Sequence, residues 1–319
     1  MKPVVLALVG PTGSGKTKTA IALCQSLRAE IVSMDSMQVY CGMDIGTAKP
    51  TKDERRAVPH HLIDVADPAC LFTVSMYKEM ASEAINGILS RGKMPILVGG
   101  TGLYLNAISY EMTLGDNGAD EELRQELHRI AEEPEGHLKL HQRLSSVDPD
   151  SAKKLHPNDI RRVIRALEIY ETSGKAKSAR SDEQQKEGPY HVLVYGLSMP
   201  REMMYKRINA RVDQMIQDGL IDEVKSLLAR GIKPREEGGA MQAIGYKEIV
   251  SALHDEMSME QAIALIKQSS RRYAKRQWTW FRRDQRTKWF DWTEFKGEEA
   301  LYHALLAQIH ADLSEYHHN

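Results

Sequence analysis

The sequence predicts an α/β fold: a P-loop NTPase-like parallel sheet core flanked by helices, with a helical domain inserted into it. Three observations carry the prediction. Short β-branched apolar runs alternate with amphipathic helical stretches along the first third of the chain. The first of those runs leads straight into a glycine-rich loop that opens a helix. Strand signals then vanish for about 70 residues, an insertion of domain size, and return afterwards.

Taken in order, Val4 to Val9 (VVLALV) reads as a buried parallel strand. Gly10 to Gly15 is a loop and Lys16 to Leu27 an amphipathic helix. Glu30 to Ser33 is a second strand ending at Asp35, and His61 to Val65 (HLIDV) a third. Val74 to Ser90 is a helix, closed by Arg91-Gly92. Pro95 to Val98 is a strand, followed by Gly99-Gly100-Thr101-Gly102 and a short helix. The character changes near Leu114-Gly115-Asp116: Glu121 to about Ser173 is helical and charged, and Ser178 to Gly188 is a polar loop. Val192 to Leu197 then returns as a strand, Met257 to Arg283 is one long helix, and Thr287 to Trp292 is an edge strand. The expected organisation is a core of 1–116 and 189–319 with a helical insertion over 117–188.

Composition narrows the function classes. The 319 residues are 42% hydrophobic and 27% charged, enough apolar material for a sizeable core. Net charge is -1, so any nucleic-acid site must be a local cluster. Cys24, Cys41 and Cys70 form no CxxC pair and no Cys/His array of zinc-finger spacing, which predicts a reducing compartment and no structural zinc. No apolar run reaches the roughly 20 residues that span a bilayer. A cytoplasmic protein without a membrane partner is expected.

Gly10-Pro11-Thr12-Gly13-Ser14-Gly15-Lys16-Thr17 matches GxxxxGK[ST] between a buried strand and a helix. Glycines let backbone N–H groups close around phosphate oxygens, and the helix N-terminus favours negative charge. Lys16 adds a point charge, and the Thr17 hydroxyl can hold Mg²⁺. The loop by itself says only polyphosphate. Asp35-Ser36-Met37-Gln38 follows the second strand, where an open α/β sheet has its ligand crevice. A carboxylate there can act as general base on an incoming nucleophile. It can equally be a loop or capping aspartate. Thr101, at another strand end, can bond an acceptor or a phosphate oxygen, and can also cap the helix that follows.

These segments carry a resemblance. GPTGSGKT, DSMQVY at 35–40, DIGTAKP at 44–50, HHLIDV at 60–65, VGGTGLY at 98–104, IRRVIRALE at 160–168, AIGYKE at 243–248 and KRQWTWFR at 275–282 occur in this order. Together they resemble the tRNA dimethylallyltransferase (tRNA isopentenyltransferase) family over nearly the whole chain. The eukaryotic branch often adds a C-terminal zinc finger; with none here, the resemblance is to the bacterial type.

The resemblance implies transfer of dimethylallyl from dimethylallyl diphosphate to N6 of the adenosine just 3′ of the anticodon, in tRNAs reading U-initial codons. Diphosphate leaves, with Mg²⁺ assisting. It implies that Asp35 is the base on N6, that Thr101 supports the acceptor and diphosphate geometry, that residues 10–17 hold the diphosphate, and that Arg211 reaches the leaving group. Taken alone, an arginine on a charged helix is a solvated residue. Contacts to the tRNA anticodon stem-loop are implied for Asp35, Ser36, Met37, Gln38 and Thr101, for Arg124, and for Asp159, Ile160, Arg161, Arg162 and Arg165. They are also implied for Gln242, Ala243, Ile244, Gly245, Tyr246 and Lys247, and for Lys275, Arg276, Gln277, Trp278, Thr279, Trp280, Phe281 and Arg282. A monomer is expected.

Chemistry and charge agree with this. An exocyclic adenine amine is a poor nucleophile, so removing its proton during attack helps by about 10²–10⁴-fold. From Lys267 to Lys288 there are nine Lys/Arg and one Asp, interleaved with Trp278, Trp280 and Phe281, and Trp289 follows directly. Basic side chains neutralise phosphates and aromatics stack on unpaired bases, although at least two of these aromatics are expected to face the core. A P-loop small-molecule kinase would leave this basic helix and the charged insertion unused. So would an adenylate isopentenyltransferase acting on free nucleotide. An RNA-binding NTPase switch would have no need of Asp35 as a base.

Overall fold

A computed structural model describes residues 1–112, 121–178, 186–234 and 239–318. The chain divides into two compact units, Met1–Ser109 with Pro189–Asn319, and Tyr110–Gly188. The expected boundary at Leu114-Gly115-Asp116 lies outside the described residues, as do positions 179–185 of the expected loop.

The larger unit is built on six strands: β1 (Val4–Val9), β2 (Ala29–Met34), β3 (His60–His61), β4 (Met94–Gly99), β5 (His191–Ser198) and β6 (Lys288–Asp291). They pair in the order β3-β2-β4-β1-β5-β6, every neighbouring pair parallel. A strand buried on both faces needs apolar residues at successive positions, and all six residues of β1 are buried. Val5, Ala7 and Val9 face a layer containing α3 (Val74–Ser90) and α4 (Gly102–Ser109). Val4, Leu6 and Leu8 face α1 (Lys16–Leu27) and the C-terminal helix α13 (Glu298–His318).

A third apolar cluster lies beyond the carboxyl ends of the strands. It joins Val39, Tyr40 and Met43 to α9 (Arg201–Gln217), α10 (Leu220–Ala229), α11 (Tyr246–Leu253) and α12 (Met259–Phe281). This layer supplies the wall opposite the strand ends. Ser258 starts α12 with a capping box, its hydroxyl accepting the Gln261 N–H and the Gln261 side chain accepting the Ser258 N–H.

The expected strand over His61 to Val65 is a correction: only His60 and His61 pair with β2. Leu62 and Asp64 adopt left-handed φ of 62° and 56°, which ends extended structure. Two interactions favour that turn: Leu62 is buried in the core, and Asp64 accepts the Lys49 ammonium and the Arg55 guanidinium. The short helix α2 (Lys52–Ala57) carries Arg55.

The smaller unit contains α5 (Glu121–Glu132), α6 (Gly136–Val147), α7 (Pro149–Lys154) and α8 (Ile160–Ser173). Leu127, Leu140, Leu144, Val163, Ile164 and Leu167 form its core.

Candidate active site

The carboxyl ends of β1, β2 and β4 open into a cavity of about 560 Å³. The phosphate loop lies on one wall. Gly10, Gly13 and Gly15 have φ of 142°, 85° and 93°, accessible to glycine at little cost. A Cβ at Gly10 would stand 2.5 Å from the Leu197 carbonyl oxygen, so the loop also needs glycine for close packing. The Lys16 ammonium donates to the carbonyls of Gly10 and Pro11, 2.9 Å each. Burial, then the neighbouring Arg211 charge, push Lys16 down to about 7, and Asp35 opposes the shift. The Arg211 guanidinium reaches the loop from α9 and stands 3.5 Å from the Thr12 hydroxyl. Thr17 lines the cavity beside Lys16.

Asp35 sits at the end of β2. Its Oδ1 accepts the backbone N–H of Met37 at 2.8 Å and of Gln38 at 3.3 Å, so the turn orients it. Burial raises its pKa, against those two N–H groups and the Lys16 charge. A carboxyl with a raised pKa and the glycine-rich loop thus share one cavity. Thr101 Oγ1 accepts the Ser36 N–H at 3.2 Å, which joins the β4 end to the β2 end. Gly99 and Gly100 line the cavity between them.

The opposite wall comes from α9, α11 and α12. Ile208, Arg211, Val212 and Met215 form one face of α9 by their three- and four-residue spacing. Gln242, Ala243, Ile244, Gly245 and Lys247 line the cavity, as do Ser36, Met37 and Gln38, and Arg276 and Gln277. The Gln38 amide donates to the carbonyls of Thr47 and Ala48 at 3.3 and 3.2 Å, holding the loop after β2. Glu223 holds the same loop. Its carboxylate accepts the backbone N–H of Asp44, Ile45 and Gly46 at 2.8, 2.8 and 3.2 Å and the Tyr246 hydroxyl at 2.5 Å.

Several residues expected to touch RNA have other partners. Tyr246 and Phe281 are fully buried, so their rings serve the core and present no face for stacking. Gln277 is buried between the phosphate loop and the β4–α4 loop. Trp278 and Trp289 are half-buried edge to face, ring centres 4.6 Å apart. Trp280 is 43% exposed and lies against Gly102. Lys275, Arg276, Thr279 and Arg282 are exposed. Elsewhere on the basic stretch, Lys267 pairs with Asp213, Arg286 with Asp284 and Lys288 with Asp312. In the helical unit Arg124 and Arg165 bind the buried Glu168 carboxylate, so Arg124 is committed internally. Asp159 precedes α8 and Ile160 begins it; Arg161 and Arg162 are exposed, and Arg162 meets Asp159 at 3.3 Å.

Three site residues escape sequence reading. Tyr273 lines the cavity. Glu223 reads as an ordinary exposed helix charge. The Trp292 indole donates to the Ser14 carbonyl at 3.0 Å, bracing the phosphate loop from the chain's far end. The helical spacing of Ile266, Ser270, Tyr273 and Gln277 is the one signal that exposes the first of these.

Among the described residues no cluster of three or more His, Cys, Asp or Glu side chains is arranged to hold a metal. Nor is any helix long and apolar enough to cross a membrane.

The family described as IPP transferase matches residues 38–284, and the isopentenyl transferase family matches 3–67. A tRNA dimethylallyltransferase of Halalkalibacterium halodurans is 49% identical over 302 residues, 94% of this chain and 95% of its own. That of Bacillus subtilis is 46% identical over 95% of this chain and 96% of its own. The crystal structure of the full-length tRNA isopentenylpyrophosphate transferase from Bacillus halodurans superposes with a TM-score of 0.74 at 44% identity, covering 100% of both chains. A eukaryotic dimethylallyltransferase crystallised acting on tRNA has a TM-score of 0.77 at 33% identity, over 91% of this chain and 74% of its own. With one family running through most of the sequence and relatives aligned nearly end to end, the chain belongs to the IPP transferase family.

Proposed function

We propose that this enzyme, a tRNA dimethylallyltransferase, moves the dimethylallyl group of dimethylallyl diphosphate to N6 of the adenosine 3′ to the anticodon, in tRNAs reading U-initial codons. The observation that carries the reading is Asp35 in one cavity with Lys16 and the phosphate loop. Asp35 takes the amine proton as N6 attacks the allylic carbon, and the C–O bond to diphosphate breaks. Negative charge then grows on the leaving group, where backbone N–H groups of residues 13–17, Lys16 and Arg211 stabilise it. Thr101 holds the acceptor and diphosphate in register.

Mg²⁺ fits this site as an ion carried largely by diphosphate oxygens and water, since that ion keeps several waters and needs few protein ligands. Thr17 is the side chain that would hold it, and it would neutralise charge on the diphosphate. In the larger unit, exposed Lys275, Arg276 and Trp280 on α12 and Arg282 just after it are suited to RNA phosphates and bases; in the helical unit, taken by itself, exposed Arg161 and Arg162 on α8 are suited to phosphates. An unpaired loop base reaches a cavity for a few kcal/mol at most. The protein acts as a monomer in the cytoplasm.

The experiment is to incubate the protein with Mg²⁺, labelled dimethylallyl diphosphate and unmodified tRNA, then digest the RNA. Label on N6 of the adenosine following the anticodon is the expected result. Consumption of nucleoside triphosphate with unlabelled RNA would overturn the reading.

A further inference from the structure

Residues 44–49 form a strap along the cavity, which Gly46, Thr47 and Ala48 help to line. Its internal bonds are those of a tight turn: the Ala48 N–H donates to the Ile45 carbonyl and the Lys49 N–H to the Asp44 carbonyl, 3.0 Å each. The N–H groups of Asp44, Ile45 and Gly46 point elsewhere, and all three meet one carboxylate, Glu223 on α10. Glu223 Oε2 accepts the first two at 2.8 Å each. Oε1 accepts the third at 3.2 Å and the Tyr246 hydroxyl as well. Successive N–H groups that converge in this way make an anion site, and here a distant side chain of the same protein fills it. The fit is close, because a Cβ at Gly46 would stand 2.4 Å from the Tyr246 ring.

The other end of the strap is held by Gln38. Its Nε2 donates to the Thr47 and Ala48 carbonyls at 3.3 and 3.2 Å, and two carbonyl partners fix which end of the amide is nitrogen. Its Oε1 then faces the Ser33 hydroxyl at 3.2 Å. The backbone N–H of Gln38 is one of the two that Asp35 Oδ1 accepts. An unbroken path of contacts therefore runs from Glu223 through the strap and Gln38 to the Asp35 carboxylate. The phosphate loop is held by other groups, Lys16, Gln277 and Trp292.

We propose that Glu223 is a positioning residue of the transfer reaction: it anchors the 44–49 strap and, through Gln38, steadies the turn that aims Asp35. This rests on the transferase reading above. A base already aimed when substrate arrives has less freedom to lose in reaching the reacting geometry. A carboxylate suits the anchor because it only accepts, and it meets four donors. An amide in its place would turn its NH₂ toward groups that themselves donate.

Glu223→Gln keeps the length of the side chain and spoils that match. Per folded molecule, it should lower kcat roughly 10-fold and leave the donor KM within about 3-fold. The pH profile separates positioning from mere stability. The Gln38 N–H favours the ionised form of Asp35, so a loosened turn should carry the acid limb of kcat to higher pH. The decisive measurement is a double-mutant cycle with Gln38→Met, which removes the amide and keeps an unbranched chain. In that background Glu223→Gln should lower kcat by less than about 2-fold more. Glu223→Asp keeps the charge and both oxygens on a shorter stem, and replaces Glu223→Gln if the latter fails to fold. Its kcat should fall about 3-fold with the same dependence on Gln38. A wild-type kcat or an unmoved acid limb in the folded variant, or losses that simply multiply in the double variant, would overturn the assignment. Wild-type protein that labels no tRNA would instead defeat the transferase reading itself.

Discussion

The side-chain oxygen of Gln277 accepts the backbone N–H of Thr12 at 2.9 Å, across 265 positions of sequence. The phosphate loop is therefore shaped partly by the long basic helix, through the same side chain that holds Gly100. Gln277→Leu would leave the Thr12 N–H and the Gly100 carbonyl without these partners, a loss of about 2–4 kcal/mol of stability. The donor KM should rise roughly 10-fold as the loop loses its set position. Chemical denaturation and donor titration measure the two effects; an unchanged KM would mean that the loop keeps its shape unaided.

A carboxyl whose pKa is raised by burial must lose its proton before it can act as a base. For Asp35 the acid limb of kcat should therefore lie above the roughly 3.9 of an ordinary aspartate, activity falling as pH drops through it. Asp35→Asn keeps the shape and removes the base. It should lower kcat by about 10²–10⁴-fold and spare tRNA binding. A pH–rate profile with its acid limb at ordinary aspartate values would contradict the assignment.

How much of this was legible depends on where each constraint comes from. Val4–Val9, Lys16–Leu27 and Val74–Ser90 lie where apolar periodicity, the glycine loop and the closing Arg91-Gly92 put them, because all three signals are local. HLIDV has the apolar residues of a strand but ends in left-handed Leu62 and Asp64, where partners from the preceding loop and helix, Lys49 and Arg55, hold Asp64. Asp35, Lys16 and Arg211 were legible because motif spacing and family resemblance mark them. Glu223 was not, since its role needs neighbours from a distant segment, the N–H groups of Asp44 to Gly46. KRQWTWFR reads as one recognition run, yet the helix turns Gln277 and Phe281 inward and leaves Lys275, Trp280 and Arg282 outside.

Lys16 should cost the free protein stability. Its folded pKa of about 7 lies below the roughly 10.4 of an exposed lysine. Between those values the unfolded chain holds a proton that the folded one lacks, so this group makes stability rise with pH across the window. Below about 7 the cost is present in full. Lys16→Met should therefore stabilise the protein near pH 6 by on the order of 1–3 kcal/mol, discounted for the open cavity, and the gap should close toward pH 10. The same substitution should abolish diphosphate binding. Denaturation midpoints of both proteins against pH decide it; a gap independent of pH would refute the cause.

Two adjacent aromatics on α12 should behave oppositely. Phe281 is 0% exposed and Trp280 43%. Phe281→Ala should lose about 3–5 kcal/mol of folding stability, as large core truncations do. Trp280→Ala should fold with a smaller loss and weaken tRNA binding by about 1–3 kcal/mol, the worth of one stacked base. Thermal unfolding and binding isotherms of both variants separate the roles. Equal loss of tRNA affinity from two stably folded variants would refute the division.

Arginines of the helical unit should divide by whether they bond a buried carboxylate. Arg161 and Arg162 are exposed on α8, whereas Arg124 and Arg165 bond the buried Glu168 carboxylate. Replacing both Arg161 and Arg162 by Gln should weaken tRNA binding and flatten its salt dependence by about 1–2 in the slope of log K against log salt. Arg124→Gln removes one of two partners from a buried charge, so it should first destabilise the helical unit, by about 3 kcal/mol. Any fall in tRNA affinity would then follow that unfolding. Binding measured across a salt series, beside denaturation of the same proteins, distinguishes phosphate contact from lost structure. A salt slope unchanged in the Arg161 and Arg162 double variant would remove this face of α8 from the RNA interface.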